Sequence, residues 1–291
     1  MHRYSYYKTA ACTLNVSIGD PQANKEEILK CIQELDSDTQ LVVFPELCIT
    51  GYTCQDLFYE HTLLNSAKQV LFEIVEELPE NLVTVLGLPL EIENRLYNCA
   101  AICFNHDILG IQVKTYIPSY NEFYETRWFS SASELKENTT FTYKNKKVPV
   151  SNHIVFKDTT TSACLGIEIC EDLWVTIPVS STHALAGANV LCNLSASNEI
   201  ISKANYRRNL VKDQSAKCYA GYVYASAGPT ESSSDLVFSG HNLICENGAI
   251  LSETKTDKII YGQIDLDHLN HDRLHYKTSM QDLFHVNYTT V

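Results

Sequence analysis

The chain has 291 residues, of which 45% are hydrophobic and 20% are charged. This composition is typical of a globular protein with a sizeable core, and one large α/β layered domain can hold a chain of this length. The formal net charge of −13 argues against nonspecific binding to nucleic acid or to anionic membranes, because both require clustered cations.

The positions of the cysteines and the composition of the N-terminal segment indicate the cellular compartment of the protein. The N-terminal segment turns polar too soon for a secretory leader, and no apolar run is long enough to span a bilayer. Most of the 11 cysteines lie in apolar runs such as NCAAICF. We therefore expect a reducing, cytoplasmic setting with most cysteines acting as small buried hydrophobic residues. Zinc is the weaker interpretation, because no CxxC pair occurs and Cys99 and Cys103 lie in a predicted strand.

The first half of the chain alternates between short β-rich runs and longer helical ones. Asp20 and Pro21 provide a helix N-cap and a first-turn proline, and apolar residues follow them at helical spacing. A second apolar stripe at helical spacing runs from Leu63 to Leu78. Strands are predicted at 8–16, 41–44, 82–88, 97–104 and 108–114.

The second half continues the alternation after an interruption. Residues 129–153 are polar and are expected to form a surface excursion. Beyond them we predict strands at 161–169, 189–194 and 221–227, helices at about 176–187 and 200–219, and several short strands up to about residue 265. The pattern favours one α/β domain whose sheets are covered by helices.

The C-terminal residues 266–291 differ from the rest. They are polar, and His268, His271 and His275 are spaced to share one face of a helix. A metal site there is the less favoured interpretation, and a solvated helix or extension is the simpler one.

Residues with potentially reactive side chains follow or end three of the predicted strands. Glu46 follows VVFP, Lys114 ends ILGIQVK, and Cys170 ends ACLGIEIC. In layered α/β proteins, reactive groups gather where strands end and loops begin. Each residue alone has an ordinary explanation: an exposed cap, a solvated lysine, a core cysteine. Together they supply a base, a cation and a nucleophile, the set needed for acyl transfer through a thioester.

The segments around these residues resemble a known family. FPELCITGY, KTYIPSYNEFYE and GIEICEDLW are similar to the three signature segments of the nitrilase (carbon-nitrogen hydrolase) superfamily, in the chain order Glu, Lys, Cys. With LSASNE and DLVFSGHN, the stretch from about 8 to about 280 most resembles the glutaminase domain of glutamine-dependent NAD synthetases. The resemblance implies an α/β fold, a four-layer α-β-β-α sandwich of the nitrilase type, and a homo-oligomer.

The resemblance also implies catalytic roles. Cys170 would attack the side-chain amide carbon of glutamine, and Glu46 would take the thiol proton and later activate water. Lys114 would stabilise the tetrahedral oxyanion, aided by the backbone N–H of Glu171. Glu122 would correspond to the second glutamate of the superfamily, which orients the catalytic lysine and the substrate amide.

Substrate contacts are implied in the same way. Tyr120, Phe123, Glu171 and Ser197 would hold L-glutamine, with Glu171 receiving its α-ammonium group. Lys203 stands where the family often carries another cation near the substrate carboxylate. The amidase step would need no metal or organic cofactor, because nucleophile, base and oxyanion donors are all protein groups.

The neighbours of Cys170 pose a question about its ionisation. A helix beginning at EDLW would lower the pKa of the thiol, whereas the Glu171 carboxylate would raise it. We therefore expect Glu171 to point into the substrate pocket, and Glu46 to remove the thiol proton as the amide is attacked.

The domain organisation is expected to be a glutamine amidohydrolase domain at 1–265 and a linker-like extension at 266–291. The SGGxDS-type loop of the ATP-dependent synthetase (ligase) domain does not occur, so ATP and Mg would belong to a domain outside this chain. The chain could be an excised domain, a separate subunit supplying ammonia to a synthetase, or a free-standing amidase.

The expected function is glutamine hydrolysis that supplies ammonia for NAD synthesis from deamido-NAD. One alternative is a nitrilase-like amidase or carbamoylase acting on another small amide, and Tyr120, Phe123 and Glu171 favour glutamine over it. Another is a non-catalytic interaction module, which the intact set of Glu46, Lys114 and Cys170 disfavours. No nucleic-acid or membrane partner is expected.

Overall fold

The computed structural model describes residues 5–281 and 285–291. The strands of this part of the chain are β1 (Tyr6–Cys12), β2 (Leu41–Val43), β3 (Val83–Ile92), β4 (Arg95–Phe104), β5 (Asp107–Val113), β6 (Thr140–Tyr143), β7 (Lys146–Ser151), β8 (Ile154–Lys157), β9 (Cys164–Ile169), β10 (Val190–Ser195), β11 (Gly221–Ser226), β12 (Asn242–Glu246), β13 (Ala249–Thr254), β14 (Ile259–Asp265) and β15 (Thr289–Thr290). The helices are α1 (Pro21–Gln33), α2 (His61–Glu77), α3 (Val179–Leu185), α4 (Lys203–Lys217) and α5 (Leu266–His275).

The described strands form two mixed sheets. The first has the order β14-β1-β2-β3-β4-β5-β7-β6, and the second has the order β13-β12-β11-β10-β9-β8-β15. An apolar layer between the sheets includes Val43 and Val85 from the first and Ile167 and Val223 from the second. Two further layers lie outside, where α1 and α2 cover the first sheet and α3 and α4 cover the second. This is the expected four-layer α-β-β-α sandwich.

The short strand β2 shows why its sequence is uniformly apolar. It lies between β1 and β3 and is parallel to both. Leu41 and Val43 face the layer between the sheets, whereas Val42 and Phe44 face the helices. A parallel strand buried on both faces needs apolar side chains at every position rather than an alternation. The chain then leaves the sheet at Pro45, just before Glu46.

The first two helices follow the sequence prediction closely. The Asp20 side chain accepts a hydrogen bond from the backbone N–H of Ala23 at 3.1 Å, and Pro21 occupies the first turn of α1. This cap satisfies a backbone donor that no helical carbonyl can reach. In α2, the buried side chains include Leu63, Leu64, Ala67, Val70, Leu71, Ile74 and Val75, as the helical spacing predicts.

The sequence expectation for residues 129–153 needs correction. Residues 129–153 do not only form a surface excursion, because β6 and β7 lie within them and β7 pairs with β5. Val148 and Val150 are buried and alternate with more exposed residues. The strand is short and begins with two exposed lysines, so the alternation of apolar and polar residues is a weak signal in the sequence. The described residues of the C-terminal extension also contact the domain. Leu266 and Leu269 of α5 are buried, and β15 pairs with β8, a strand that the sequence reading missed.

The histidines of the C-terminal segment lie on α5, as the spacing predicts. The rings of His271 and His275 are 4.1 Å apart, and His268 contacts Glu246 at 3.4 Å. Within residues 5–281 and 285–291, no group of three or more potential metal ligands comes together. The described helices also include none that is long and apolar enough to cross a membrane.

Candidate active site

The ends of three strands from both sheets meet at one place. Glu46 follows β2, Lys114 follows β5, and Cys170 follows β9. The side chains of Glu46 and Lys114 have no exposed surface, and Cys170 is 5% exposed. The structure therefore brings together the three residues that the sequence singled out, in a nearly closed environment.

Lys114 lies between two carboxylates. Its Nζ donates to Glu46 Oε1 at 2.6 Å and to both carboxylate oxygens of Glu125 at 2.8 Å. Burial opposes the charge of this lysine, but Glu125 and Glu46 together raise its pKa well above the ordinary value. The two carboxylates therefore favour the charged form of the ammonium group and hold it in a fixed position.

The Glu46 carboxylate is oriented from several sides. Besides the bond from Lys114, Oε1 accepts from Asn98 Nδ2 at 2.7 Å, and Oε2 accepts from the backbone N–H of Ala196 at 2.8 Å. The turn that carries Glu46 lies so close to β3 that a Cβ on Gly87 would come within 2.4 Å of the Leu47 backbone nitrogen. Glycine at position 87 therefore allows the base to sit against the sheet.

Cys170 occupies a strained position at the end of β9. Its φ is 45°, and its backbone N–H donates to Asn193 Oδ1 at 3.2 Å. Burial raises the pKa of the Cys170 thiol, Glu46 raises it further, and Lys114 offsets only part of the effect. The expected lowering by a helix start is outweighed, since the following helix is only a single 3₁₀ turn, Cys170–Leu173. The resting thiol is protonated, and it must lose its proton to a base during the reaction.

Glu171, the residue after the cysteine, is hydrogen-bonded to Tyr120. The hydroxyl of Tyr120 donates to the two Glu171 oxygens at 3.0 Å and 2.9 Å. Glu171 is half-buried, and burial raises the pKa of its carboxyl group. The Tyr120 bond and the nearby cations Lys114 and Lys203 act in the opposite direction and lower this pKa.

A second cation stands beside this carboxylate. Lys203 Nζ lies 5.4 Å from the ring centroid of Phe123 and 5.0 Å from that of Trp174. Burial lowers the pKa of Lys203, whereas the carboxylates of Glu122 and Glu171 raise it. Aromatic faces stabilise a cation by their quadrupole, so the two rings hold the ammonium group at the edge of the site.

The loop after β10 supplies Ser197, and a buried arginine fixes it. Arg207 of α4 has no exposed surface, and its Nη2 donates to Ser197 Oγ at 3.2 Å and to the backbone carbonyl of Asn198 at 2.9 Å. Ser197 is itself 3% exposed. The loop that also provides the Ala196 N–H to Glu46 is therefore rigidly held.

The assignment of Glu122 needs correction. Among the described residues, the carboxylates that contact Lys114 are those of Glu46 and Glu125, and Glu122 instead accepts a hydrogen bond from Asn198. The loop folds so that Glu125 is buried while Glu122 is only partly buried. Both glutamates lie in the same segment, NEFYE, and counting residues from the lysine could not tell which of them turns inward.

Further residues of the site were missed by sequence reasoning. The Tyr52 hydroxyl donates to Glu125 Oε1 at 2.8 Å and so extends the charged cluster. Asp172 is fully buried and accepts from the backbone N–H groups of Tyr116 at 2.9 Å and Ile169 at 3.1 Å. It thus ties the segment after Lys114 to the end of the strand before Cys170. The signal that could have revealed it is the second carboxylate of CEDLW.

The arrangement has the parts that acyl transfer needs. A buried thiol lies near an oriented carboxylate, and a charged lysine contacts the same carboxylate. A carboxylate and an ammonium group, Glu171 and Lys203, stand next to these groups and could hold a zwitterionic ligand. The geometry therefore suits a nucleophilic attack on a small carbonyl compound.

Comparisons with known proteins agree with this geometry. A family model described as carbon-nitrogen hydrolase matches residues 8–273. Glutamine-dependent NAD(+) synthetase from Mycobacterium tuberculosis is 38% identical over 257 residues, which are 87% of this chain and 38% of that protein. The chain thus spans about two-fifths of the length of this curated relative.

Solved structures resemble the fold as well. A glutamine-dependent NAD(+) synthetase from Cytophaga hutchinsonii has a TM-score of 0.79 at 29% identity and is matched over 89% of this chain and 43% of its own. A carbon-nitrogen hydrolase from Helicobacter pylori has a TM-score of 0.76 at 17% identity over 98% of this chain and 100% of its own. At that identity the second likeness concerns the fold alone.

Proposed function

Because the chain belongs to the carbon-nitrogen hydrolase family, we propose that it hydrolyses the side-chain amide of L-glutamine through a thioester on Cys170. The observation that carries the proposal is the buried group of Glu46, Lys114 and Cys170, with Glu171 and Lys203 beside it. The family membership indicates the class of reaction, amide hydrolysis, and the geometry of the site indicates which residues would carry it out.

The first half of the reaction forms the thioester. Glu46 takes the proton from the Cys170 thiol while the sulfur attacks the amide carbon, and the carbonyl oxygen becomes an oxyanion. Glu46 then gives the proton to the amide nitrogen, the carbon–nitrogen bond breaks, and ammonia leaves. General acid–base catalysis by one positioned carboxylate fits this double use.

The second half regenerates the enzyme. Glu46 removes a proton from water, and the hydroxide attacks the thioester carbon. The carbon–sulfur bond breaks, the proton returns to the sulfur, and glutamate leaves. The bonds from Asn98 and Ala196 keep Glu46 in one orientation, which lets it serve both half-reactions.

The oxyanion needs positive charge in both half-reactions. Lys114 donates to it, and the backbone N–H of Glu171 is the second donor. Glu125 keeps the lysine charged and in place through two bonds of 2.8 Å. In this proposal Glu125 takes the role that the resemblance assigned to Glu122, and Glu122 acts on the substrate side through Asn198.

The preference for glutamine is supported by charge complementarity. The Glu171 carboxylate would receive the α-ammonium group, and Lys203 would receive the α-carboxylate. Tyr120, Phe123 and Ser197 would line the same subsite. The relatives are named glutamine-dependent NAD(+) synthetases, which also supports glutamine as the amide donor.

We further propose that the ammonia serves NAD synthesis from deamido-NAD by an ATP-dependent synthetase domain or subunit. The relatives' names and the shared segments support this partner. The proposed hydrolysis itself uses only protein groups, with ATP and Mg belonging to the synthetase. A homo-oligomer and a cytoplasmic location remain predictions of the resemblance.

The test compares L-glutamine with glutaramate, which has the same amide and carboxylate but lacks the ammonium group. Wild-type enzyme should release ammonia from glutamine with a kcat/KM higher by about tenfold or more, since a paired ammonium is worth that much. Glu171→Gln should lose most of this preference, because the substitution should lower kcat/KM for glutamine and leave kcat/KM for glutaramate unchanged. Equal use of both substrates, or preference for a simple aliphatic amide, would indicate a general amidase instead.

A further inference from the structure

We propose that Ser195 is a further catalytic residue, whose hydroxyl donates a hydrogen bond to the Cys170 sulfur as negative charge develops there, with Tyr224 as the positioning residue that directs it. The inference deepens the proposed function and rests on Cys170 being its nucleophile.

The strand register places Ser195 next to the nucleophile. β9 and β10 are parallel neighbours, and Leu194 pairs with Ile169. Ser195 ends β10, and Cys170 directly follows Ile169 at the end of β9, so each of the two residues comes directly after a paired position. Ser195 has no exposed surface, so water does not compete for its hydroxyl.

Tyr224 lies behind the serine on the following strand. The hydroxyl oxygens of Ser195 and Tyr224 are 2.5 Å apart, and Tyr224 is fully buried. A phenol is the more acidic of the two groups and is the better donor, so we assign Tyr224 as donor and Ser195 as acceptor in this bond. The proton of Ser195 is then free to point toward Cys170.

The electrostatics of the site explain why the Cys170 sulfur needs a hydrogen-bond donor. Burial and Glu46 both raise the pKa of the Cys170 thiol, so an attacking thiolate would be poorly solvated. A hydrogen bond from Ser195 lowers the pKa of the thiol, in the same direction as Lys114. Lys114 is also engaged by two carboxylates and by the expected oxyanion, which leaves the sulfur in need of a donor of its own.

The step requires no net proton transfer through the serine. The thiol proton goes to Glu46, the sulfur forms its bond to the amide carbon, and Ser195 keeps its own proton throughout. When the thioester breaks, the hydroxyl again stabilises the departing sulfur. The same bond thus serves both half-reactions.

The test uses alkylation of Cys170 by iodoacetamide, which needs neither glutamine nor a synthetase. The rate constant at a fixed pH of about 8 is measured by peptide mass spectrometry for wild type, Ser195→Ala, Tyr224→Phe and the double variant. Ser226→Ala is the matched control, because Ser226 is the register partner of Ser195 on β11, is 1% exposed, and lies one strand further from the nucleophile.

We expect Ser195→Ala to slow alkylation roughly three- to tenfold. Losing a charge-assisted donor lowers the thiolate fraction by roughly ten- to hundredfold, and the greater nucleophilicity of the more basic thiolate restores about half of that on a logarithmic scale. Ser226→Ala should stay within about twofold of wild type. Because Tyr224 acts through Ser195, the double variant should match Ser195→Ala rather than show the sum of both effects.

The result that would overturn the proposal is an unchanged alkylation rate in Ser195→Ala, or an equal loss in Ser226→Ala. Additive effects of Ser195→Ala and Tyr224→Phe would overturn the directing role of Tyr224. If Ser195→Ala does not fold, Tyr224→Phe is the test, because it removes the bond that directs the serine: slower alkylation supports the proposal, and an unchanged rate overturns it. These outcomes do not depend on glutamine turnover, so a failed glutaminase assay would count against the proposed function and not against the serine.

Discussion

The substitution Glu125→Gln tests the charged cluster most sharply, because it removes one charge and little volume. Lys114 makes both bonds of 2.8 Å to Glu125 and one of 2.6 Å to Glu46. At 2.8 Å and an effective dielectric constant of about 20, the gross attraction of one ion pair is about 6 kcal/mol. Much of this offsets desolvation, and breaking a buried pair lowers the free energy of unfolding by about 3–5 kcal/mol.

The same substitution should slow the chemistry. The lysine loses the partner that holds it in the oxyanion position and keeps only its bond to Glu46. We expect kcat for glutamine to fall by roughly 10²–10³, the loss typical of one oxyanion donor. Ammonia release measures kcat, and urea unfolding measures stability.

Glu122→Gln is the matched control, since it lies in the same loop and removes the same charge. Glu122 contacts Asn198, which in turn accepts from Lys203, so this variant should raise KM for glutamine more than it lowers kcat. A wild-type kcat in Glu125→Gln, or the larger loss of kcat in Glu122→Gln, would refute the assignment of Glu125 as the residue that positions the lysine.

Three further substitutions have separate readouts. Glu46→Gln should lower kcat by roughly 10²–10⁴ in the ammonia assay while the fold persists, and a wild-type rate would contradict its role as base. Asp172→Asn should lower the free energy of unfolding by about 1–3 kcal/mol and reduce kcat more than it alters KM, because an amide nitrogen would face backbone N–H donors. Glu231 is buried, its Oε1 has no hydrogen-bond partner among the described residues, and burial raises its pKa to about 8. A native pKa raised above the unfolded value stabilises the fold fully below about pH 4.5, and this contribution is lost as pH rises toward 8. Urea unfolding between about pH 5 and pH 8 should therefore show a smaller loss of stability in Glu231→Gln than in wild type, and parallel pH profiles would contradict the burial argument.

The sequence predicted the parts of the fold whose patterns are strong. The buried strand β2, the capped start of α1 and the apolar stripe of α2 each carry a clear local signal. The sandwich itself came from the family resemblance, because a period of apolar residues indicates a strand without saying which sheet it joins. The proximity of Glu46, Lys114 and Cys170 could be expected from the sequence, because each of them lies at the end of a predicted strand.

What the sequence could not predict depends on tertiary packing. Glu122 and Glu125 are chemically identical, and only the fold of their loop decides which is buried. β7 and β15 are short and polar, so their pairing becomes evident only beside β5 and β8. Ser195 lies in an apolar strand like any core serine, and its importance arises from the register with β9.

The most direct test of the central claim is to identify what a glutamine-shaped electrophile modifies. A diazoketone analogue of glutamine is incubated with wild type and with Cys170→Ala, and peptide mass spectrometry locates the adduct among the 11 cysteines while ammonia release from glutamine is followed in parallel. The account predicts a single adduct on Cys170, protection by glutamine, and loss of ammonia release in Cys170→Ala with its fold intact. An adduct on another cysteine, or ammonia release that persists in Cys170→Ala, would contradict it.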